Sequence, residues 1–322
     1  EYENVKEDSV FVKFKVKGKE NEYLVVWTTT PWTLPFNLAV MAHPEFEYVK
    51  AKIKDTEEIW ILAQALASGV IGAVAGKQYE VVEKFKGEKL KGLKYEHPFA
   101  KELSYQKEIE KLKHGHSVLM SEQYVSLDAG SGLVHTAPGC GPEDFEVGKE
   151  HELPPYNELD EHGVFSEKMG EYAGMQAKKD DKKFIDALKK KGLLIEVSPV
   201  EHEYAHCWRC KNPVVFRATD QWFLATEKLR NKMIDENKKV YWEPDWAGNK
   251  WFDSWLKSLQ DWCISRQRFW GIPLPIWKSA TGEIKVIGTK KELEKLSGRK
   301  IENLHRPWVD EIKLKSKKYK FL

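Results

Sequence analysis

The stretch Tyr23-Leu24-Val25-Val26-Trp27-Thr28-Thr29-Thr30-Pro31-Trp32-Thr33-Leu34-Pro35-Phe36-Asn37 organises this chain. Val25 and Val26 with their aromatic neighbours favour a buried strand, and Pro31 and Pro35 prevent its continuation as helix or sheet. The threonine hydroxyls therefore stand at a strand end. Each is a rotatable donor and acceptor on a stiff β-branched frame, suited to holding sugar hydroxyls, phosphate oxygens or a water. None is a strong base. Taken alone, such a stretch also reads as an edge strand running into a Pro-rich turn, so a second signal is needed.

That signal is Gly130-Ser131-Gly132-Leu133-Val134-His135-Thr136-Ala137-Pro138-Gly139-Cys140-Gly141-Pro142-Glu143-Asp144-Phe145. Two glycines let the backbone come close to a ligand, Leu133-Val134 reads as a short strand, and Pro142 suits the first turn of a helix. Asp144 lies in that turn, where the helix dipole favours an ionised carboxylate. Glu143 carries the same charge, but successive helical residues point about 100° apart, so only one of the two can face a pocket.

Together these stretches resemble the editing domain inserted into class I aminoacyl-tRNA synthetases for branched aliphatic amino acids, most closely the isoleucyl type. The resemblance rests on TTTPWTLPFN (28–37), on GSGLVHTAPG (130–139) with Glu143-Asp144, on HCWRC (206–210) and on DWCISRQRFWG (261–271). His135 before Thr-Ala-Pro matches the isoleucyl pattern rather than the valyl or leucyl one. Ser131 between the glycines and Cys140 depart from the usual pattern and bear on the fine shape of the pocket.

The resemblance implies hydrolysis of the ester that joins a wrong amino acid to the terminal adenosine of tRNA. It gives Asp144 the substrate ammonium, and gives Thr28, Thr29 and Thr30 the adenosine and the placing of a water. Trp32 and Asn37 would shape the pocket wall, and His135 would contact the aminoacyl group or ribose and help exclude isoleucine. No Ser-His-Asp or Cys-His set is needed, because a polarised ester beside a ribose hydroxyl can be attacked by an oriented water. One missing methylene allows only limited discrimination, isoleucine against valine being the familiar worked case, so a second sieve removes the error. The implied substrate is valyl-tRNA(Ile), with valyl-adenylate as a second. The implied partners are the tRNA(Ile) 3′ end carrying valine and the rest of the synthetase polypeptide. Two rivals stand beside this reading: a valyl-type domain clearing threonine from tRNA(Val), and a tRNA-binding module without hydrolytic activity.

At 322 residues the chain has room for two domains. Its 52 Lys and Arg nearly balance its 50 Asp and Glu, so any nucleic-acid contact must come from local patches. Candidates are Lys178-Lys179, Lys182-Lys183, Lys189-Lys190-Lys191 and the lysines of 313–320, each of which also reads as a solvated face. Four cysteines, no apolar leader and no apolar run near 20 residues argue for a reduced, cytoplasmic location and against a membrane. The 32% charged content is compatible with a thermophilic source, and the start at Glu1 rather than Met suits an excised piece.

The alternation over 10–16, the turn at 18–21 and the return over 23–27 predict a β-hairpin. Further strands are expected at 38–41, 47–53, 58–62, 79–85, 117–121 and 214–218. Helices are expected at 63–67, 142–151, 180–191, 220–236 and 246–259. In the last of these Trp251, Phe252, Trp255, Leu256 and Leu259 form an apolar stripe that reads as packing. The expected fold is α+β: a β-rich, barrel-like editing domain with peripheral helices over 1–197, a connecting segment with the CxxC knuckle over 198–246, and a partial return into an α/β Rossmann-type catalytic domain over 247–322.

Editing is expected to need no cofactor, with ATP and Mg belonging to the full-length enzyme. Cys207 and Cys210 have zinc-knuckle spacing, but a structural site takes about four ligands and the sequence holds no second CxxC. The resemblance implies a partner knuckle upstream of Glu1, so this pair reads as half of a zinc site. His114-Gly115-His116-Ser117 does not fit a HIGH tetrapeptide, and no KMSKS-like loop is present. The chain is therefore expected to hydrolyse aminoacyl-tRNA and not to form it.

Overall fold

The computed structural model describes residues 1–267, 271–315 and 320–321. They form two compact units, 1–218 and 219–322. In the first, the expected hairpin is present as β1 (Tyr2–Lys15) and β2 (Glu22–Thr28), with Val10 opposite Thr28, Val12 opposite Val26 and Phe14 opposite Leu24. Period-two alternation sends these residues to one face, where they join Trp32, Leu34, Phe36 and Val40 in the larger core. Phe11 and Val25 point to the other face and pack with Val49, Trp60 and Ile71. Burial on both faces explains why β2 is a near-continuous apolar run.

Strands β3 (Ala39–Ala42), β4 (Glu47–Ile53), β5 (Ile59–Ala63), β6 (Tyr79–Lys86), β7 (Ser117–Met120) and β8 (Leu133–Thr136) lie close to their expected positions. The short helix α1 (Gln64–Ala67) follows β5. The sheet runs β6-β4-β5-β2-β8-β3-β7, and β1 joins β2 to the long strand β9 (Leu194–Ala205). β2 forks: Glu22 to Leu24 pair with β5, whereas Trp27 pairs with Val134 of β8. The curl is that of a partial barrel whose ladder does not close among the described residues. Helices α2 (Gln106–Glu110), α3 (Pro142–Glu150) and α4 (Asp181–Lys190) surround it. On α4, Phe184 and Leu188 are buried and the lysines face outward.

Several expectations are corrected. β9 runs through position 197 and pairs with β1 from Tyr2↔Ala205 to Val12↔Leu194, so the first unit reaches Ala218. Half-exposed residues such as His202 and Tyr204 hide this long edge strand from an apolar-pattern search. Residues 214–218 form no strand, and Pro213 makes only an isolated bridge to His206. Among the lysine clusters, Lys178 pairs with Glu7, Lys183 with Asp180 and Lys191 with Glu102. These three are ion pairs within the fold, whereas Lys182, Lys189 and Lys190 are exposed on α4.

In the second unit, 220–236 is not one helix. It contains β10 (Phe223–Leu224), a 3-10 turn and α5 (Arg230–Asn237). Residues 247–252 are π-helical and lead into α6 (Asp253–Lys257), where Leu256 is buried but Trp251 and Trp255 are 70% and 54% exposed. The stripe is thus only partly packed inside this unit: Leu256 is buried and Phe252 meets Trp242, while Trp251 and Trp255 stay largely exposed. β11 (Trp262–Cys263) pairs with β10, β12 (Ile276–Lys278) with β13 (Ile284–Val286), and β14 (Leu314–Lys315) with β15 (Lys320–Phe321), all antiparallel. The described residues of this unit form no parallel, Rossmann-type layer. Helix α7 (Lys290–Ser297) is capped by Thr289 and ends at the left-handed Gly298. Residues 268–270 of the SRQRFWG motif and 316–319 of the basic tail lie outside the described residues. No helix among the described residues is long and apolar enough to cross a membrane.

Gly132 packs against β5, with φ +74° and a hypothetical Cβ only 2.4 Å from that of Ala63. Its Cβ-free side faces the protein itself, not only a ligand. Gly132→Ala combines a left-handed backbone with that clash and should cost on the order of 3 kcal/mol, read as a lower midpoint in chemical denaturation. A change below about 1 kcal/mol would show that β5 and β8 do not meet this tightly.

Candidate active site

Because Trp27 and Val134 pair in parallel, β2 and β8 end side by side. Thr28 ends β2 and leads into Thr29 and Thr30, His135 sits near the end of β8, and a cavity of about 390 Å³ opens beside them. Its lining includes Thr28, Thr29, Thr30, Thr33, His135 and, from the first turn of α3, Asp144. The two sequence stretches thus converge on one site.

A buried hydrogen-bond chain fixes the hydroxyls. Tyr95 donates its phenolic proton to Asn37 Oδ1, so the Asn37 amide nitrogen faces Ala39 O at 2.7 Å and His135 Nδ1 at 3.0 Å. An amide N–H can only donate, which makes Nδ1 the acceptor and leaves the proton on Nε2. Burial lowers the His135 pKa to about 4, so the ring is neutral at pH 7. Nε2–H then donates to Thr33 Oγ1 at 2.7 Å, and Thr33 gives its own proton to Thr30 O at 2.8 Å.

Proton order follows from that end. Thr33 has no proton left for Thr30 Oγ1, 3.2 Å away, so Thr30 donates to Thr33. Thr28, 3.2 Å from Thr30 Oγ1, donates in turn, and its oxygen accepts from Thr30 N–H at 3.1 Å. The hydroxyl protons of Thr28 and Thr30 run inward, and the oxygens keep lone pairs. A surface of acceptors favours donors such as ribose hydroxyls and water.

Asp144 supplies the charge. Its Oδ2 accepts from Ala137 N–H at 3.2 Å, and a Cβ on Gly141 would stand 3.1 Å from that oxygen, so the glycine leaves the carboxylate room. Burial pushes the Asp144 pKa up to about 6, opposed by the Ala137 N–H and assisted by Glu143. Glu143 is exposed at the rim. Between the two acids, geometry selects Asp144.

Trp32 and Asn37 do not line the cavity; both are buried behind it. Asn37 acts through His135, and Trp32 anchors the loop by donating its backbone N–H to Asp181 Oδ1 at 2.9 Å. His135 has both ring nitrogens engaged within the protein. Thr33, not among the expected site residues, is the link between ring and hydroxyls. Its signal is the three-residue spacing from Thr30, because residues i and i+3 eclipse in a 3-10 turn such as Pro31–Phe36.

Cys207 and Cys210 lie in a tight turn closed by Cys207 N–H to Asn212 O and Lys211 N–H to Cys207 O. Among the described residues no group of three or more His, Cys, Asp or Glu is placed to hold a metal ion. Two thiols fall short of a four-ligand structural set, so the residues present do not fit zinc on their own.

The amino-acid sequence places the chain in one class of protein. The profile of class I tRNA synthetases (I, L, M and V) matches residues 4–321, and the chain belongs to this family. Its relatives within that family include the isoleucine--tRNA ligases of Pyrococcus abyssi and Pyrococcus furiosus, each 48% identical over 98% of this chain and 32% of the relative. That of Methanocaldococcus jannaschii is 44% identical over 98% of this chain and 31% of the relative. The chain spans about a third of the length of these relatives. Among solved structures, GlLeuRS-CP1 superposes with TM-score 0.45 at 15% identity, over 59% of this chain and 97% of that chain. This is a distant likeness.

Asp144 also sets a pH dependence of stability. Burial raises its pKa above the value it has when the chain is unfolded, so the folded state binds its proton more tightly. The resulting stabilisation is present below the unfolded pKa and is lost as pH rises through about 6. Asp144→Asn keeps an acceptor for Ala137 but no desolvated charge. It should raise stability by at most about 3 kcal/mol at pH 7.5 and by little at pH 4, measured by urea denaturation at both values. A destabilised variant at pH 7.5 would contradict the buried charge.

Proposed function

We propose that this chain carries the hydrolytic editing activity of an isoleucine-specific synthetase, clearing valine from misacylated tRNA(Ile), with valyl-adenylate a second substrate. The observation that carries the reading is one cavity in which a half-buried carboxylate, Asp144, stands beside a row of hydroxyl acceptors. The similar relatives, named isoleucine--tRNA ligases, supply the tRNA. The proposed setting is the cytoplasm, where tRNA is charged.

In this reading the ammonium of valine pairs with ionised Asp144, a charge-assisted bond that a blocked amine cannot make. Ribose hydroxyls and a water donate to the oxygens of Thr28 and Thr30. Neutral His135, with its Nδ1 lone pair committed to Asn37, orders the hydroxyls through Thr33 and does not act as the base. Water, oriented beside the ester carbonyl, attacks; catalysis is by placement. The new carbon–oxygen bond replaces the acyl–oxygen bond, a proton of the attacking water passes to the departing ribose oxygen, and free valine leaves the restored tRNA hydroxyl. The proposed step runs on these residues and the substrate's own ester, without a cofactor.

Deacylation of Val-tRNA(Ile) by the full-length polypeptide tests the reading. For the wild type, kcat/KM should rise as Asp144 ionises through about pH 6 and fall as the substrate ammonium titrates near pH 8. Asp144→Asn should lower kcat/KM about 100-fold and remove the acid limb, in line with loss of a charge-assisted bond. An unchanged ester lifetime would leave a tRNA-binding module, and preferred turnover of Thr-tRNA(Val) would point to the valyl type.

A further inference from the structure

The geometry points to Gln106 as a positioning residue that sets the threonine cluster from behind, through the turn Pro31–Phe36 and the side chain of Asn37. The inference rests on the hydrolytic reading above, and it concerns a residue that lines no part of the cavity.

The turn between β2 and β3 is irregular, so its inward carbonyls find few partners from regular ladders. A buried polar patch meets them. Gln106, fully buried on α2, donates from Nε2 to Pro35 O at 2.7 Å and to Asn37 O at 3.3 Å. Its Oε1 accepts from His116 Nε2 at 2.6 Å. Tyr105 donates its hydroxyl to Pro35 O as well. His97 completes the patch: Nδ1 accepts from Phe99 N–H at 3.0 Å, so Nε2–H is the donor to Leu34 O at 3.1 Å. Both histidines are neutral, because burial lowers their pKa values, to about 4 for His116.

Only an amide can donate to two carbonyls and accept from a ring N–H at once. Gln106 therefore ties α2 and His116 to the backbone on either side of Phe36, and so fixes where Asn37 begins. Asn37 then decides the tautomer of His135, and that tautomer decides the proton order in Thr33, Thr30 and Thr28. A shift of the turn by a fraction of an ångström would loosen the Asn37–His135 bond and admit the other tautomer. The hydroxyls would then lose their common direction.

The test uses Gln106→Leu and Gln106→Glu in the full-length polypeptide, with Val-tRNA(Ile) as substrate and ¹⁵N-histidine NMR on the same samples. Gln106→Leu should lower kcat at least tenfold while KM moves less than threefold, and the His135 signal should change from one Nε2–H form to a tautomer mixture. Gln106→Glu should keep more of the wild-type activity at pH 5.5 than Gln106→Leu does, because a protonated carboxyl still donates to Pro35 O and accepts from His116 although it gives up the bond to Asn37 O. Its activity relative to wild type should fall as the carboxyl ionises toward pH 8. An unchanged kcat and a single His135 tautomer in a cooperatively melting Gln106→Leu would overturn the assignment. If that variant does not fold, a Gln106→Glu to wild-type ratio independent of pH overturns it. A wild type that hydrolyses no aminoacyl ester defeats the hydrolytic reading instead, and the tautomer measurement still decides the role of Gln106.

Discussion

The site depends on the parallel pairing of Trp27 with Val134. Strand β2 forks at its centre, one half against β5 and the other against β8, so two segments a hundred residues apart finish together at one edge of the curl. Everything chemical follows from that coincidence. The Thr-rich loop leaves one strand and His135 stands near the end of the other, while the chain after β8 turns through Gly139 and Gly141 into α3, which returns Asp144 to the same opening. The packing that enforces it is close: a Cβ on Gly132 would overlap Ala63, and one on Gly130 would stand 2.9 Å from the indole of Trp27.

Within that frame, direction is set by a neutral histidine. Its ring is buried and uncharged, one nitrogen taken by Asn37 and the other by Thr33, so it transmits order to the hydroxyls without offering a base. The cavity combines oriented acceptors with one inward carboxylate, Asp144, while Glu143 stands exposed at the rim and burial keeps the Cys140 thiol protonated. Such an arrangement suits a substrate that brings its own reactivity, a cationic amino acid held by an activated ester to a sugar.

Much of this was legible in the sequence. The hairpin, the strand at 47–53 and the helix after Pro142 follow from alternation and from Pro and Gly punctuation, whereas the convergence of Thr28–30 with Asp144 comes from the family resemblance and not from the pattern itself. Less legible was β9, because an edge strand with Glu, His and Tyr in alternation lacks the apolar signal that marks β2. The aromatic residues of 251–255 misled for the opposite reason: helical spacing shows which residues share a face, but not whether that face is covered. The roles of Thr33 and Gln106 were hidden, since buried polar partners are chosen by three-dimensional proximity, 102 residues from Thr33 to His135 and 71 from Gln106 to Pro35. Trp32 and Asn37 lie in the motif yet act one layer behind the cavity, a distinction that only coordinates draw.

The central claim is that Asp144 holds the ammonium of a small amino acid while Thr28 to Thr30 hold its nucleoside. A crystal structure with a non-hydrolysable valyl-adenosine analogue measures this directly. The account predicts the amino nitrogen within about 3 Å of an Asp144 oxygen and ribose hydroxyls on the oxygens of Thr28 or Thr30. An analogue bound elsewhere, or bound here with Asp144 touching only Ala137, would contradict it.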